Sequence, residues 1–330
     1  MPIEVNKLSK HFRLFKREAG LSGALKSFFN RKYENFHALS EISISIQDGE
    51  ILGILGENGA GKTTLIKLLV GLLHPSSGDV IINGFTPWKR KSSFLKQISV
   101  VMGQKNQLWW DIPASESFLL NQKIYEIPQD QYDKTLNELV DLLQVQDKLN
   151  VQVRRLSLGE RMKMEIIAAL LHNPKIVLLD EPTIGLDVIS QSKIRDFVKF
   201  YNEKHKTTFL LTSHYMNDIQ ALCKRVFVIH KGKSLYDGDF EKLVNHINPK
   251  RKLIFEFSSL PSQDKIKKLG QKYDFEIKNN ILNAELSDLE LIQLVSELFS
   301  LNSPASITME DLPVEDTMRA FFSKPEMFLE

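Results

Sequence analysis

Short apolar runs along this chain alternate with longer stretches of helical spacing. Ile3 to Leu8 reads as a first strand, and the alternation of EISISI (41–46) as another, closed by a turn at Asp48-Gly49. ILGIL (51–55) is continuously apolar, the pattern of a strand buried on both faces of a parallel sheet. A glycine-rich turn follows, then an apolar helix from about Lys62 to Leu72, and Ile98 to Met102 is a further apolar run. Helical patterns at 115–125 and 131–144 lead into helix 158–171, strand KIVLLD (175–180), helix 188–204 and strand TTFLLT (207–212). VFVIH and KSLYD, on either side of Lys231-Gly232, read as a closing hairpin. This helix–strand rhythm predicts an α/β core built on a mostly parallel sheet.

Two segments interrupt the rhythm. Residues 13–34 hold six basic and two acidic residues, and Leu14, Phe15, Leu21, Ala24, Leu25, Phe28 and Phe29 recur at helical spacing. An inserted basic amphipathic helix is expected there. HINPKRK (246–252) reads as a linker that ends a first domain of residues 1–245. Beyond it, the order strand, helix, strand, strand, helix, strand predicts a small ferredoxin-like α+β domain at 253–330, with a short helix near 314–322.

Composition narrows the class without naming a chemistry. A length of 330 residues accommodates one large domain and a small one, or two of moderate size. Lys and Arg number 43 against 41 Asp and Glu, and a net charge of +2 gives no chain-wide basic surface for nucleic acid. Cys223, the one cysteine, cannot form an intrachain disulfide, as expected for a reducing compartment. The N-terminus MPIEVNKLSK lacks the apolar core of a secretory signal, and no run approaches the roughly 18 apolar residues of a spanning helix.

Chemistry enters at the glycine-rich turn. Gly56-Glu57-Asn58-Gly59-Ala60-Gly61-Lys62-Thr63 fits G-x-x-x-x-G-K-[ST], between a strand and a helix as the mechanism requires. Glycines let the backbone wrap a phosphate, with successive N–H groups aimed inward at a helix N-terminus. Lys62 is placed to reach the β- and γ-phosphates and the Thr63 hydroxyl to ligate Mg²⁺, with Thr64 beside it. Ile176 to Leu179 ends in Asp180, a carboxylate at the end of a buried strand, where an open α/β sheet presents its ligand crevice. Asp180 can hold Mg²⁺, directly or through water. Glu181 follows, well placed to orient or deprotonate attacking water.

Leu156-Ser157-Leu158-Gly159-Glu160, ahead of KIVLLDEPTIGLD, resembles the signature segment of the ATP-binding cassette (ABC) ATPases. The family's other elements appear in order: Gln104 in VMGQ, Gly185-Leu186-Asp187, and His214 in LLTSH. The resemblance spans about residues 3–240. It implies a P-loop cassette whose mostly parallel core sheet carries an antiparallel β subdomain and a helical subdomain at about 105–172. It also implies ATP hydrolysis with Mg²⁺ in a head-to-tail dimer. Residues 56–64 would cradle ATP, and Thr63, Gln104 and Asp180 would hold the metal. Ser157 and Gly159 would contact the γ-phosphate bound by the second copy, at a helix start whose dipole favours an anion. Gln104 would sense Mg²⁺ and the attacking water, Glu181 would act as base, His214 would hold the γ-phosphate side of the transition state, and Asp187 would couple the two sites. Phosphoryl transfer needs mainly positioning and charge neutralisation, so this division of labour is physically coherent.

Two departures stand out. In the usual Leu-Ser-Gly-Gly-Gln, Leu158 and Glu160 here replace the first glycine and the glutamine. The phosphate-facing Ser157 and Gly159 are kept, but Glu160 sets a negative charge close to the shared ATP, an expectation of slower or weaker dimerisation. The aromatic that stacks on adenine is Phe12 when counted from the N-terminus and Tyr33 when counted back from the phosphate loop. Phe12 is preferred, and the choice stays open.

An ABC ATPase of this kind must hand its motion to a partner. Gln104 is followed by Asn106-Gln107-Leu108-Trp109-Trp110-Asp111, and in this family that segment lies in the groove that receives a permease's coupling helix. Adjacent tryptophans suit an interface anchor, with core packing of one of them as the competing reading. The insertion at 13–34 suits anionic lipid or the cytoplasmic end of a permease, and a comparable basic insert occurs in polysaccharide and teichoic-acid exporters. Packing on its own domain is the alternative. EPTIGLDVISQSKIR and the appended small domain are similar to stand-alone ATPase subunits of bacterial ABC-2-type exporters. That resemblance implies a separate membrane permease and a place on the cytoplasmic face of the cell membrane. A soluble ABC mechanoenzyme acting on ribosomes or DNA is the alternative. One phosphate loop rather than two, no long heptad coil and the small net charge weigh against it, so no nucleic acid partner is expected. The small domain has no metal-spaced cluster, and a regulatory or dimer-bracing role is expected of it.

Overall fold

The computed structural model describes residues 3–15, 33–103, 107–213 and 215–323. The chain divides between Asp239 and Phe240 into two units, each with its own core. In the first unit, β1 (Ile3–Phe15) and β2 (Tyr33–Ile46) pair antiparallel, from Ile3 opposite Ile46 out to Phe15 opposite Tyr33. Ile3, Val5, Ile42, Ile44 and Ile46 point inward and are buried. β3 (Ile51–Leu55) leads into α1 (Lys62–Leu69), and β4 (Ser77–Ile82) returns to β1, completing a sheet of order β2-β1-β4.

The larger sheet adds β5 (Ile98–Met102), β6 (Ile176–Asp180), β7 (Thr208–Thr212), β8 (Arg225–His230) and β9 (Lys233–Asp239), in the order β5-β6-β7-β3-β8-β9. All neighbours are parallel except the closing β8–β9 hairpin. β3, β6 and β7 sit in the middle, and nearly every residue in them is buried. Two-sided burial is why these strands are uninterrupted apolar runs, each such side chain contributing about 1.5–3 kcal/mol. Their C-terminal ends deliver Gly56, Asp180 and Thr212 to one edge, with Asp180 and Ile54 both registered on Thr212.

After the short α2 (Ser92–Leu95), the β5–β6 connection holds α3 (Ala114–Ile124), α4 (Gln129–Leu143) and α5 (Leu158–Leu170). In α4, Tyr132, Thr135, Leu139, Val140 and Leu143 form one buried face at helical spacing. α5 differs: every residue from Met162 to Leu170 is buried. α6 (Val188–His205) starts at Asp187, whose side chain accepts the Ser190 N–H at 2.9 Å, and α7 (Met216–Leu222) follows β7.

The second unit comprises α8 (Phe240–Ile247), β10 (Lys250–Phe257), α9 (Gln263–Gly270), β11 (Phe275–Lys278), β12 (Ile281–Ser287), α10 (Asp288–Leu301), β13 (Pro304–Asp311) and α11 (Val314–Ser323). Its sheet is antiparallel throughout with order β11-β12-β10-β13, the ferredoxin-like arrangement. Leu253, Phe255 and Phe257 of β10 pack with Leu291, Leu294 and Leu298 of α10 in its core.

Four sequence expectations differ from the structure. The first domain, expected at 1–245, ends at Asp239, because α8 belongs to the second unit. The linker expected at 246–252 is reduced to a break around Asn248 and Pro249, since α8 runs to Ile247 and β10 begins at Lys250. A proline stops the helix there, and the basic run is strand, with Arg251 paired to Asp311 at 2.8 Å. The helix expected over 13–34 begins and ends as strand: Arg13 to Phe15 continue β1, and Tyr33 and Glu34 open β2. Its remainder, 16–32, lies outside the described residues. The phosphate-loop helix stops at Leu69 rather than Leu72, ahead of Gly71 at φ 71°.

Candidate functional site

The loop Gly56–Gly61 joins β3 to α1 and is held from several sides. Ala60 donates to the Glu57 carbonyl at 3.1 Å, Gly232 to the Ala60 carbonyl at 3.0 Å, and Ser40 to the Gly232 carbonyl at 2.7 Å. Between the pairs Lys10–Leu39 and His11–His37 the β1–β2 register shifts, leaving Ala38 as an extra residue. That bulge brings β2 onto the loop. A Cβ on Gly61 (φ 115°) would lie 2.6 Å from Leu39 Cδ2 and 2.7 Å from the Ala38 oxygen, so glycine alone fits.

Lys62 is 6% exposed, and its Nζ donates to the carbonyls of Gly56 at 2.6 Å and Glu57 at 3.1 Å. Its ammonium thus curls back over the loop, with one donor left over for an anion. Burial lowers the Lys62 pKa, opposed by the negative charges of Glu181, Asp180 and Glu57. Thr63 Oγ1 donates to Asp180 Oδ2 at 3.3 Å, and Thr212 Oγ1 donates to Asp180 Oδ1 at 2.7 Å. A hydroxyl and a carboxylate from positions 117 residues apart therefore form one hard-oxygen pair beside the lysine, the donor set Mg²⁺ takes while keeping several waters. Glu181 has φ 56°, a strained value that the fold over-determines: its N–H donates both to the Thr212 carbonyl at 3.0 Å and to Thr212 Oγ1 at 3.1 Å.

The signature segment forms a second surface. Ser157 caps α5 in a capping box: its Oγ accepts the Glu160 N–H at 3.2 Å, and Glu160 Oε2 accepts the Ser157 N–H at 2.9 Å and hydroxyl at 3.0 Å. Glu160 Oε1 lies 3.3 Å from Lys148 Nζ. The Ser157 N–H above all, then its hydroxyl and Lys148, hold the Glu160 carboxyl below the usual carboxylate range. Gly159 is buried against α6, where a Cβ would meet Ser190 Oγ at 2.6 Å. That same hydroxyl donates to Asp187 at 2.6 Å and is the first cause holding the Asp187 pKa down. Signature and Asp187 turn are thus one contiguous piece, with Ser157, Leu158, Asp187, Val188 and Ile189 all exposed.

Gln104, Asn106 and His214 lie outside the described residues. Trp109 and Trp110 are 61% and 42% exposed, so neither is a core residue, and the Arg161 guanidinium lies 4.3 Å above the Trp110 ring. Ser213 and Tyr215, which flank His214, are tied together by the Tyr215 N–H donating to Ser213 Oγ at 3.0 Å. Ser213 Oγ in turn donates to the buried Asp218 at 2.8 Å. Phe12 is half-buried in β1 with the Lys10 ammonium 5.1 Å from its ring centroid.

A model of the family described as "ABC transporter" matches residues 39–184, which include the phosphate loop, the signature and Asp180–Glu181. The ABC transporter ATP-binding protein NatA of Bacillus subtilis (strain 168) is 36% identical over 215 residues, 65% of this chain and 87% of NatA. The bacitracin transport ATP-binding protein BcrA of Bacillus licheniformis is 30% identical, over 87% of this chain and 92% of BcrA. This chain belongs to the ABC transporter ATP-binding proteins. The fold agrees: a solved ATP-binding subunit of an ABC transporter superposes with a TM-score of 0.60 at 22% identity, covering 74% of this chain and 92% of that one. A dimeric post-hydrolysis state of the cassette MJ0796 with ADP and Pi superposes at 0.59 and 23% identity, covering 72% and 98%. As an ABC transporter ATP-binding protein, the chain binds and hydrolyses ATP to drive transport with a membrane permease. No described helix is long and apolar enough to cross a membrane itself.

Several residues of this ABC site escape a motif search. Thr212 seats both Asp180 and Glu181, Ser190 holds Asp187, and Lys148 offsets Glu160. Phe36 lies directly opposite Phe12 and is 48% exposed, two residues from the bulge at Ala38. Asp218 did leave a signal: a carboxylate four positions after His214, on the first turn of an amphipathic helix.

Proposed function

We propose that the chain is the stand-alone, Mg²⁺-dependent ATPase subunit of an ABC-2-type exporter, peripheral to the cytoplasmic face of the membrane. Two copies would face head to tail, each phosphate loop opposite the other's Ser157, Gly159 and Asp187. The observation that carries this reading is the Thr63–Asp180 contact at 3.3 Å beside the Lys62 ammonium, on a subunit whose signature surface is exposed. Mg²⁺ held by Thr63, Asp180 and Gln104 would neutralise phosphate charge when bound. Residues 56–64 bind the phosphates through backbone N–H groups, and Lys62 adds a point charge. Glu181 takes the proton of the attacking water, Gln104 orients that water, and His214 donates to the γ-phosphate oxygen as charge develops. Phe12 is the adenine-stacking aromatic. It lies opposite Phe36 close to the bulge at the loop, whereas Tyr33 is five residues before Ala38, roughly 16 Å along the strand at about 3.3 Å per residue.

The permease docks near Gln104–Asp111, anchored by Trp109 and Trp110, and nucleic acid is not a partner. The ferredoxin-like unit regulates or braces the dimer. The test is to trap tagged Glu181→Gln with ATP, solubilise native membranes gently and identify what co-purifies. A multi-spanning permease that is lost on Trp109→Ala/Trp110→Ala is the expected result. Recovery with ribosomes or DNA in the soluble fraction instead would replace the exporter reading by the mechanoenzyme one.

A further inference from the structure

Glu165 is a carboxylate inside the otherwise mostly apolar run Met162–Leu170 of α5, and it is 4% exposed. A buried charge is costly, so its partners indicate what it is for. Oε1 accepts the backbone N–H groups of Gln107 at 2.8 Å and Leu108 at 3.2 Å, while Oε2 is buried with no hydrogen-bond partner among the described residues. Burial raises the Glu165 pKa, opposed by those two N–H groups and by Arg161. One turn earlier, Arg161 covers Trp110. Ahead of the signature, Arg154 donates its N–H to the Trp110 carbonyl at 3.0 Å and pairs with Asp111 at 3.0 Å. The segment's other attachment is to the core sheet, where Gln107 Nε2 donates to the Val100 carbonyl at 2.8 Å.

We infer that Glu165 is a positioning residue that fastens the tryptophan segment 107–111 to the signature helix, so that engagement of Ser157 is read out at Trp109 and Trp110. The physical reason is stiffness. Ser157 and Glu165 are eight residues apart on one helix, about 12 Å at 1.5 Å per residue, and a rotation of α5 about its N-terminus carries the carboxylate with it. An irregular segment whose Leu108 N–H is buried and whose Gln107 N–H is part-buried, both aimed at that carboxylate, cannot stay behind without breaking both bonds. The inference rests on the reading that Ser157 and Gly159 meet the second copy's nucleotide.

The test uses the full chain with Trp88→Phe, which leaves Trp109 and Trp110 as the reporting tryptophans. Tryptophan emission and its quenching by acrylamide are followed on adding MgATP, with nucleotide binding and phosphate release measured in parallel. ATP is expected to shift the signal in this parent. Glu165→Gln, which keeps an acceptor oxygen, should retain the shift, and Glu165→Ala should lose it while still binding ATP. Should Glu165→Ala fail to fold, Arg161→Met replaces it, keeping the stem but not the guanidinium on Trp110, and is expected to diminish the shift. Silent tryptophans in a parent that binds and hydrolyses ATP, or an unaltered shift in Glu165→Ala or Arg161→Met, would overturn the coupling and leave the ATPase standing. A parent that neither binds nor hydrolyses ATP would overturn both readings.

Discussion

Asp218→Ala tests how the two proposed catalytic loops are held. Asp218 is fully buried and accepts from Ser213 Oγ at 2.8 Å, Arg195 Nη1 at 2.8 Å and Thr183 Oγ1. Ser213 adjoins His214, and Thr183 lies two residues beyond Glu181, so one carboxylate ties together the segments that carry the proposed base and the proposed γ-phosphate contact. Removing it strands an arginine whose side chain is 17% exposed and takes the acceptor from two hydroxyl protons, though Ser213 Oγ still accepts the Tyr215 N–H. Breaking a buried ion pair costs about 3–5 kcal/mol. Arg195 keeps some access to water, and the hydroxyl losses are not independent of the ion pair, so the lower half applies, about 3–4 kcal/mol. At about 2–4 °C per kcal/mol for a unit of this size, the melting midpoint should fall by about 6–16 °C.

Below that midpoint, kcat should drop while ATP affinity holds, because Asp218 bonds Thr183, Arg195 and Ser213 rather than the phosphate loop. Thermal melting and phosphate release across an ATP titration measure both. Asp218→Asn keeps an acceptor oxygen for the hydroxyls and should recover part of the turnover without the ion pair. If Asp218→Ala melted with the parent, or lost ATP binding before it lost turnover, the carboxylate would not be the tie described here.

Glu181→Gln should lower phosphate release by about 10²–10⁴-fold while nucleotide binding persists, and near-normal turnover would show that another group is the base. Gly61→Ala should abolish nucleotide binding in a folded protein, since its Cβ has 2.6 Å to Leu39 and 2.7 Å to the Ala38 carbonyl; a bound fluorescent nucleotide at parental affinity would contradict that. His172 stacks on Tyr125 at 3.9 Å, and burial lowers its pKa to about 4 from 6.5. The unfolded chain therefore binds the proton first, and the stabilisation is full above pH 6.5 and shrinks as pH falls toward 4. About 2 kcal/mol should be lost by pH 5, and His172→Phe should remove that component from urea unfolding measured at pH 8 and 5.

How far the sequence could be read depended on whether a residue's job is local. The phosphate loop is legible because its glycines answer a demand of the backbone itself, and the buried strands because burial on both faces leaves only apolar choices. The strand order of the small unit follows from its element order for the same reason. Thr212 meets Asp180 across 32 positions, and Asp218 meets Arg195 and Thr183 across 23 and 35, gaps that only the fold closes, whereas Ser190 bonds Asp187 three residues back in a helix cap. The basic run 250–252 misleads for a related reason: along the chain it reads as linker charge, but the partner of Arg251, Asp311, lies 60 residues on, in the neighbouring strand.

Glu160 shows the same limit at the centre of the site. Read along the chain, it is a negative charge substituted beside a nucleotide, and weaker dimerisation is the natural expectation. In the fold, one carboxylate oxygen closes the capping box on Ser157 and the other faces Lys148, twelve residues upstream. A capping box is worth about 1 kcal/mol to a helix N-terminus, and here that helix presents the signature serine. The ion pair, with Lys148 and Glu160 side chains 37% and 29% exposed, is screened and adds little stability. Its effect is on the field at the interface, where the lysine offsets the charge that the substitution introduced. Leu158, the other departure, is 39% exposed close to Gly185, and with the exposed Val188 and Ile189 adds apolar area to the surface that the second copy is proposed to cover. Both departures from the usual signature are therefore compatible with a cassette that dimerises on ATP, the first by capping and pairing and the second by contact.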